Sequence, residues 1–152
     1  MFTKQKIKAA PLSAGKLHIA VVAARYNMSL VDALLGYTLE ALSKNGIRRV
    51  RIVRVPGSYE VPVVAMRLAK SRKYHAIIAL GVVLQGKTLH AEHIVEACSI
   101  NLQRIAVETG VPVIHQILTP RNKRDALARL HLRGMEAVKT AIEMGKIMKN
   151  LR

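Results

Sequence analysis

The stretch AIIALGVVL, residues 76–84, constrains this chain more tightly than any other. It is apolar throughout instead of alternating, which is the pattern of a strand covered on both faces, and such strands lie in the middle of parallel sheets. After it come Gly86, Lys87 and Thr88, then a helical pattern through Ile94, Cys98, Leu102 and Ile105 that stops at Gly110. The chain thus passes from the carboxyl end of a central strand, through a turn of small residues, into a helix amino terminus. Open α/β sheets bind ligands at that place, and the free N–H groups and the helix dipole favour an anion there. His90 falls in the first turn of the helix.

Gly81 to Thr88 spells G-x-x-x-x-G-K-T, the count of a nucleotide-binding loop. In such a loop the four intervening residues form a flexible turn, but here Val82, Val83 and Leu84 are strand formers that continue the apolar run. A smaller phosphate ligand therefore fits better than ATP or GTP.

Alternation of strands and helices runs through the whole chain. A strand over 17–23 ends in Arg25, Tyr26 and Asn27; Ser29 with Asp32 resembles a capping box, and the next helix runs to Asn45 and Gly46. A second strand over 50–55 leads into Pro56, Gly57, Ser58, Tyr59 and Glu60, then a helix over 61–72 with Pro62 in its first turn. The central strand and its helix reach residue 109. A fourth strand over 111–118, a short helix over 124–132 and a last helix over 135–149 complete the pattern. Right-handed crossovers then give an α/β fold with a parallel sheet covered on both faces. Residues 1–15 read as a basic arm and residues 16–152 as a single domain.

At 152 residues with 51% hydrophobic content, no tryptophan and one phenylalanine, the core must be built from Val, Ile, Leu and Ala. No run reaches membrane-span length and the amino-terminal residues lack a signal-peptide core, so a cytoplasmic protein is expected. The single cysteine, Cys98, lies on an apolar helix face and reads as core filling. Net charge is +16. Its cations are scattered along the sequence without aromatic interleaving or a recognised module. A solvated basic surface that attracts small anionic substrates explains them as well as a nucleic-acid groove does, and nucleic acid stays the alternative partner.

Three strand ends supply candidate site residues. They are Tyr26 and Asn27 from the first, Ser58, Tyr59 and Glu60 from the second, and Gly86, Lys87, Thr88 and His90 from the third. Together they offer an aromatic platform, a carboxylate, a phosphate turn and a histidine.

The segments ARYN (24–27), RVPGSYEVP (54–62), KYHAIIALGVVLQGKTLH (73–90), ETGVPVI (108–114), GMEA (134–137) and TAIEM (140–144) resemble the lumazine synthase family over residues 16–151. The resemblance implies a three-layer flavodoxin-like fold with a four-stranded parallel sheet. It further implies a homo-oligomer built on a pentamer with sites between subunits, small-molecule substrates, and no metal or organic cofactor. It assigns Tyr26 to stacking on a pyrimidine, Asn27 to the same pocket, Ser58, Tyr59 and Glu60 to the ring and its ribityl chain, and Val83 and Leu84 to backbone contacts. Gly86, Lys87 and Thr88 would cradle a phosphate and His90 would transfer protons. His115 and Arg129 would come from the neighbouring subunit, with Glu136 helping to orient the histidine and Arg133 replacing a loop lysine.

The chain departs from the family pattern at Gln85, Ala91, His93 and His115, and in a shortened segment between Arg129 and Glu136. A basic shell or scaffold protein that binds polyanions on the same fold, with weakened catalysis, is the competing expectation.

Overall fold

The computed structural model describes residues 14–151. Of the expected basic arm, residues 1–13 lie outside the described residues, and Ala14 and Gly15 belong to a short 3-10 turn, Ala14–Lys16. Strand β1 is His18–Ala24, followed by helix α1, Met28–Lys44. Strand β2 is Arg49–Val55, and a 3-10 turn, Ser58–Glu60, carries it into α2, Val61–Lys70. Then come β3, Ala76–Val82, and α3, His90–Thr109. The last pair is β4, Val113–Leu118, and α4, Lys123–Asn150.

All neighbouring strands pair in parallel, in the order β2-β1-β3-β4. The continuous apolar strand is central, as its pattern requires: every residue of β3 is buried, whereas in β2 at the edge only Val55 is. Alternate side chains of the two inner strands serve two cores. Ile19, Val21, Ile78 and Leu80 pack under α1 and α4, while Ala20, Val22, Ile77 and Ala79 pack under α2 and α3. Each fully buried valine, leucine or isoleucine contributes about 1.5–3 kcal/mol, so the inner strands dominate the stability of the sheet. This is the three-layer α/β arrangement of flavodoxin-like folds.

Several local expectations change. The two carboxyl-terminal helices are one, because Gly134 is not a break. It lies inside α4 where a Cβ would come 3.0 Å from the Tyr37 Cβ and 3.1 Å from the Thr38 backbone nitrogen, so it is the point of closest approach between α4 and α1. Residues 130–135 accordingly form helix, with no shortened loop.

The capping box also fails. Asn27 precedes α1 in the left-handed conformation with no side-chain cap, and Asp32 pairs instead with Arg54 at 2.7 Å. Helix α2 stops at Lys70, two residues early, as Arg72 turns into the left-handed region with φ 57°.

Candidate active site

The carboxyl ends of β1, β2 and β3 lie side by side, and the segment after each of these strands turns towards the same cavity. Its walls include Tyr26 and Asn27 after β1, Gly57, Ser58, Tyr59 and Glu60 after β2, and Val82, Val83, Leu84, His90 and Ile94 from β3 and α3. The volume is about 520 Å³. Other grooves on the chain span about 400–640 Å³, so size does not single this one out. Its chemistry does: two largely exposed tyrosines, a carboxylate, strand-end backbone groups and a histidine face one space.

Each wall is fixed by a local device. The Asn27 amide donates to the Val82 carbonyl at 2.7 Å, fastening the end of β1 to the end of β3. Tyr26 N–H donates to the Pro56 carbonyl at 2.9 Å, which joins β1 to the β2 exit. Arg54 donates to the Ala24 carbonyl as well as to Asp32, bracing the same corner. Ser58 is buried against Gly81, where any Cβ would collide with its hydroxyl, so glycine near the carboxyl end of β3 is what lets the β2 exit close over the sheet. The buried Cys98 thiol donates to the Ser58 carbonyl at 3.3 Å. Burial, with the Glu60 charge nearby, pushes that thiol up to about 11, which suits packing and hydrogen bonding and not nucleophilic attack.

Gly86, Lys87 and Thr88 form the exposed turn between this cavity and α3, and the His90 N–H meets the Thr88 hydroxyl at 3.4 Å as the helix begins. The turn is therefore a helix amino terminus with free backbone donors and a lysine.

The remaining predicted residues lie elsewhere on the chain. Arg129 lines a polar cavity of about 640 Å³ with Gln85, Thr119, Pro120, Arg121 and Asp125, on the far side of the β3 exit. Gln85 bridges to that side, its amide donating to the Thr119 carbonyl at 2.9 Å. His115 is on β4 and lines a groove with Gln116, Thr140 and Met144. Its Nδ1 accepts from the Ile117 N–H at 3.1 Å, so the neutral ring carries its hydrogen on Nε2 and donates to the Ser99 hydroxyl at 2.7 Å. Burial lowers its pKa from the ordinary histidine value. Glu136 pairs with Arg133 at 3.1 Å, one helical turn away, beside a groove lined by Tyr37 and His131. Within one chain neither Arg133 nor Glu136 shares a cavity with His90.

Sequence reasoning missed Gly57, Val82 and Ile94 as walls, and Gly81 as the residue that seats Ser58. A signal existed for Gly81, since a glycine inside an apolar strand marks a close approach.

Fold and cavity together define an open-sheet α/β protein with a candidate ligand cavity at the carboxyl edge of the strands. The sequence profile of 6,7-dimethyl-8-ribityllumazine synthase matches residues 16–149. A protein of that name from Thermococcus onnurineus is 38% identical over 138 residues, covering 89% of this chain and 91% of its own. Another from Paracidovorax citrulli is 36% identical over 153 residues and covers 99% of both, and one from Kineococcus radiotolerans is 43% identical over 133 residues, 84% of this chain and 82% of its own. The chain belongs to the 6,7-dimethyl-8-ribityllumazine synthase family, whose enzymes serve riboflavin biosynthesis.

Proposed function

We propose that the chain condenses 5-amino-6-(D-ribitylamino)uracil with 3,4-dihydroxy-2-butanone 4-phosphate to give 6,7-dimethyl-8-ribityllumazine, inorganic phosphate and water. The observation that carries this reading is the meeting of Tyr26, Asn27, Ser58, Tyr59, Glu60, Val83, Leu84 and His90 round one cavity, in a chain of this family. Tyr26 covers the pyrimidine, the Val83 and Leu84 backbone pairs with its polar edge, and Ser58, Tyr59 and Glu60 engage the ring and ribityl chain. The Gly86–Lys87–Thr88 turn, a helix amino terminus, holds the phosphate.

The amine attacks the ketone and loses one water to form an imine. Phosphate leaves by elimination, and the ribitylamino nitrogen closes the second ring with loss of a second water. His90 moves protons in these steps, and the rest of the acceleration is positioning. The substrates bring their own electron sink and leaving group, so the reading invokes no cofactor.

Arg129, His115 and Glu136 line grooves other than the chain's own cavity, which supports sites completed by a neighbouring subunit; that the homo-oligomer is built on a pentamer rests on the family resemblance. Residues 16–152 act as one catalytic domain of a cytoplasmic enzyme in this reading, and no helix among the described residues is long and apolar enough to cross a membrane. The decayed scaffold is not favoured, as the matched relatives bear the synthase name.

Incubation with both substrates tests the reading: lumazine fluorescence and released phosphate should rise in a one-to-one ratio. No product at high enzyme concentration would overturn it.

A further inference from the structure

Four ion pairs are found among the described residues, and three of them join neighbours one turn apart on a single helix. The fourth, between Arg54 and Asp32 at 2.7 Å, ties two elements together. Arg54 is the next-to-last residue of β2, and its two terminal nitrogens divide between two acceptors. Nη1 donates to the Asp32 carboxylate on α1, and Nη2 donates at 3.2 Å to the carbonyl of Ala24, the last residue of β1.

Those acceptors bracket a short connection. Only Arg25, Tyr26 and Asn27 lie between β1 and α1, so one guanidinium grips the chain on both sides of them. The connection has need of that grip. Asn27 sits in the left-handed region at φ 58°, and its amide is spent on the Val82 carbonyl instead of capping α1. Tyr26 is 74% exposed, so within the chain the aim of its ring is set by the backbone beneath it and not by packing.

Holding the fork there is costly. Arg54 Nε is buried, and among the described residues it is the one buried side-chain nitrogen or oxygen with no hydrogen-bond partner. A lysine would leave no such orphan, but it offers one nitrogen where the fork offers two. An ordinary surface ion pair gains nothing from that exchange; a clamp on two acceptors does.

We propose that Arg54 is a positioning residue for the pyrimidine substrate: it clamps both ends of the β1–α1 connection and so sets the plane of the Tyr26 ring. The inference rests on the reading of Tyr26 as the cover of the pyrimidine. Both bonds lie within one chain, so the clamp does not depend on what packs against the outer edge of β2 in an oligomer. Other devices place the rest of the cavity, Ser58 being seated by Gly81 and held by Cys98, and the Gly86–Lys87–Thr88 turn follows β3. Loss of the clamp should therefore be felt by one substrate and not by the other.

The test is steady-state kinetics with each substrate varied in turn. Arg54→Met should raise KM for the ribitylaminouracil by about three- to tenfold, part of the worth of stacking a base on an aromatic ring. Turnover and KM for the phosphorylated substrate should move by less than about twofold, as expected when only ground-state binding of one substrate is lost. Arg54→Lys, which keeps one arm, should recover part of the loss. In a Tyr26→Ala background Arg54→Met should add nothing, because the ring it aims is gone. Asp32→Ala removes the other arm while leaving a good helix former on α1, so it should raise the same KM by a smaller factor and serves if Arg54→Met does not fold.

An unchanged KM in Arg54→Met and Asp32→Ala would overturn the proposal, and so would an equal loss for both substrates or a loss that adds to that of Tyr26→Ala. If Tyr26→Ala itself leaves KM for the ribitylaminouracil unchanged, the assignment of Tyr26 has failed, and a readout without turnover then decides the clamp alone. In protein labelled with 3-fluorotyrosine, the Tyr26 fluorine signal, identified by its loss in Tyr26→Phe, should shift or broaden in Arg54→Met while that of Tyr37 stays in place. A Tyr26 signal that does not move overturns the clamp whatever the substrate.

Discussion

Tyr26, Ser58, Glu60 and His90 come from three separate strand exits and still meet round one cavity, whereas Arg129, His115 and Glu136 look out from three other surfaces of the same chain. The first set is placed by the sheet alone. Parallel strands in register end at one edge, and the bonds from Asn27 to Val82 and from Tyr26 to Pro56 fix where the chain leaves it. Nothing inside the chain gives the second set a common target. One half of the proposed site is thus a property of the fold, and the other half of the assembly.

The largest expected effect lies in the first half. His90→Ala should lower turnover by about one to three orders of magnitude, the usual worth of acid–base help, and leave substrate affinity nearly intact. A variant that turns over at the parent's rate would remove His90 from the mechanism.

Arg129→Ala probes the outward-facing half, and its effect should be somewhat smaller. Loss of charge-assisted bonds to a phosphate should cost about 2–3 kcal/mol in kcat/KM, and Arg129→Lys should recover only part of that. If the variant matches the parent in kcat/KM for the phosphorylated substrate, the second half has been assigned wrongly.

A third substitution touches neither half directly. Gly134→Val forces a branched side chain against the backbone of α1 at Thr38, and overpacking of this kind costs about 1–3 kcal/mol. Thermal unfolding should move down by several degrees, with per-molecule activity preserved at low temperature. An unchanged midpoint would mean that α1 and α4 do not meet so closely at Gly134.

The smallest effect is a pH dependence. His115, through burial, and His18, through burial and then Arg49 and Arg51, have pKa values below the ordinary histidine value. On acidification the unfolded chain takes up these protons before the folded one does. Their contribution to stability is therefore complete above the unfolded value and declines as pH falls towards the folded values. The melting temperature should drop between about pH 7.5 and 5.5, and His115→Phe should flatten that slope. Equal slopes for parent and variant would contradict the locked neutral ring.

How legible these features were in the sequence depended on the range of the interaction. A continuous apolar run announced β3, and small residues after it announced the turn, because both are local patterns. Three strand exits could be joined into one pocket since parallel topology puts them at one edge. Gly134 misled for a physical reason: a helix-interior glycine needed for close approach looks in sequence like a helix end. Asp32 looked like the partner of Ser29 three residues away, but Arg54, far along the chain, holds it.

The division of the site between two chains can be tested directly by subunit mixing. His90→Ala and Arg129→Ala proteins, each at about a tenth of the parent's activity or less, are unfolded together in equal amounts and refolded, and mixed oligomers are confirmed by mass spectrometry. With random assortment about a quarter of the interfaces pair an intact His90 with an intact Arg129 from the other variant, so activity should rise to about a quarter of the parent's. Mixed oligomers no more active than the average of the two variants would contradict the account, placing both residues in one chain's site or leaving one of them without a role.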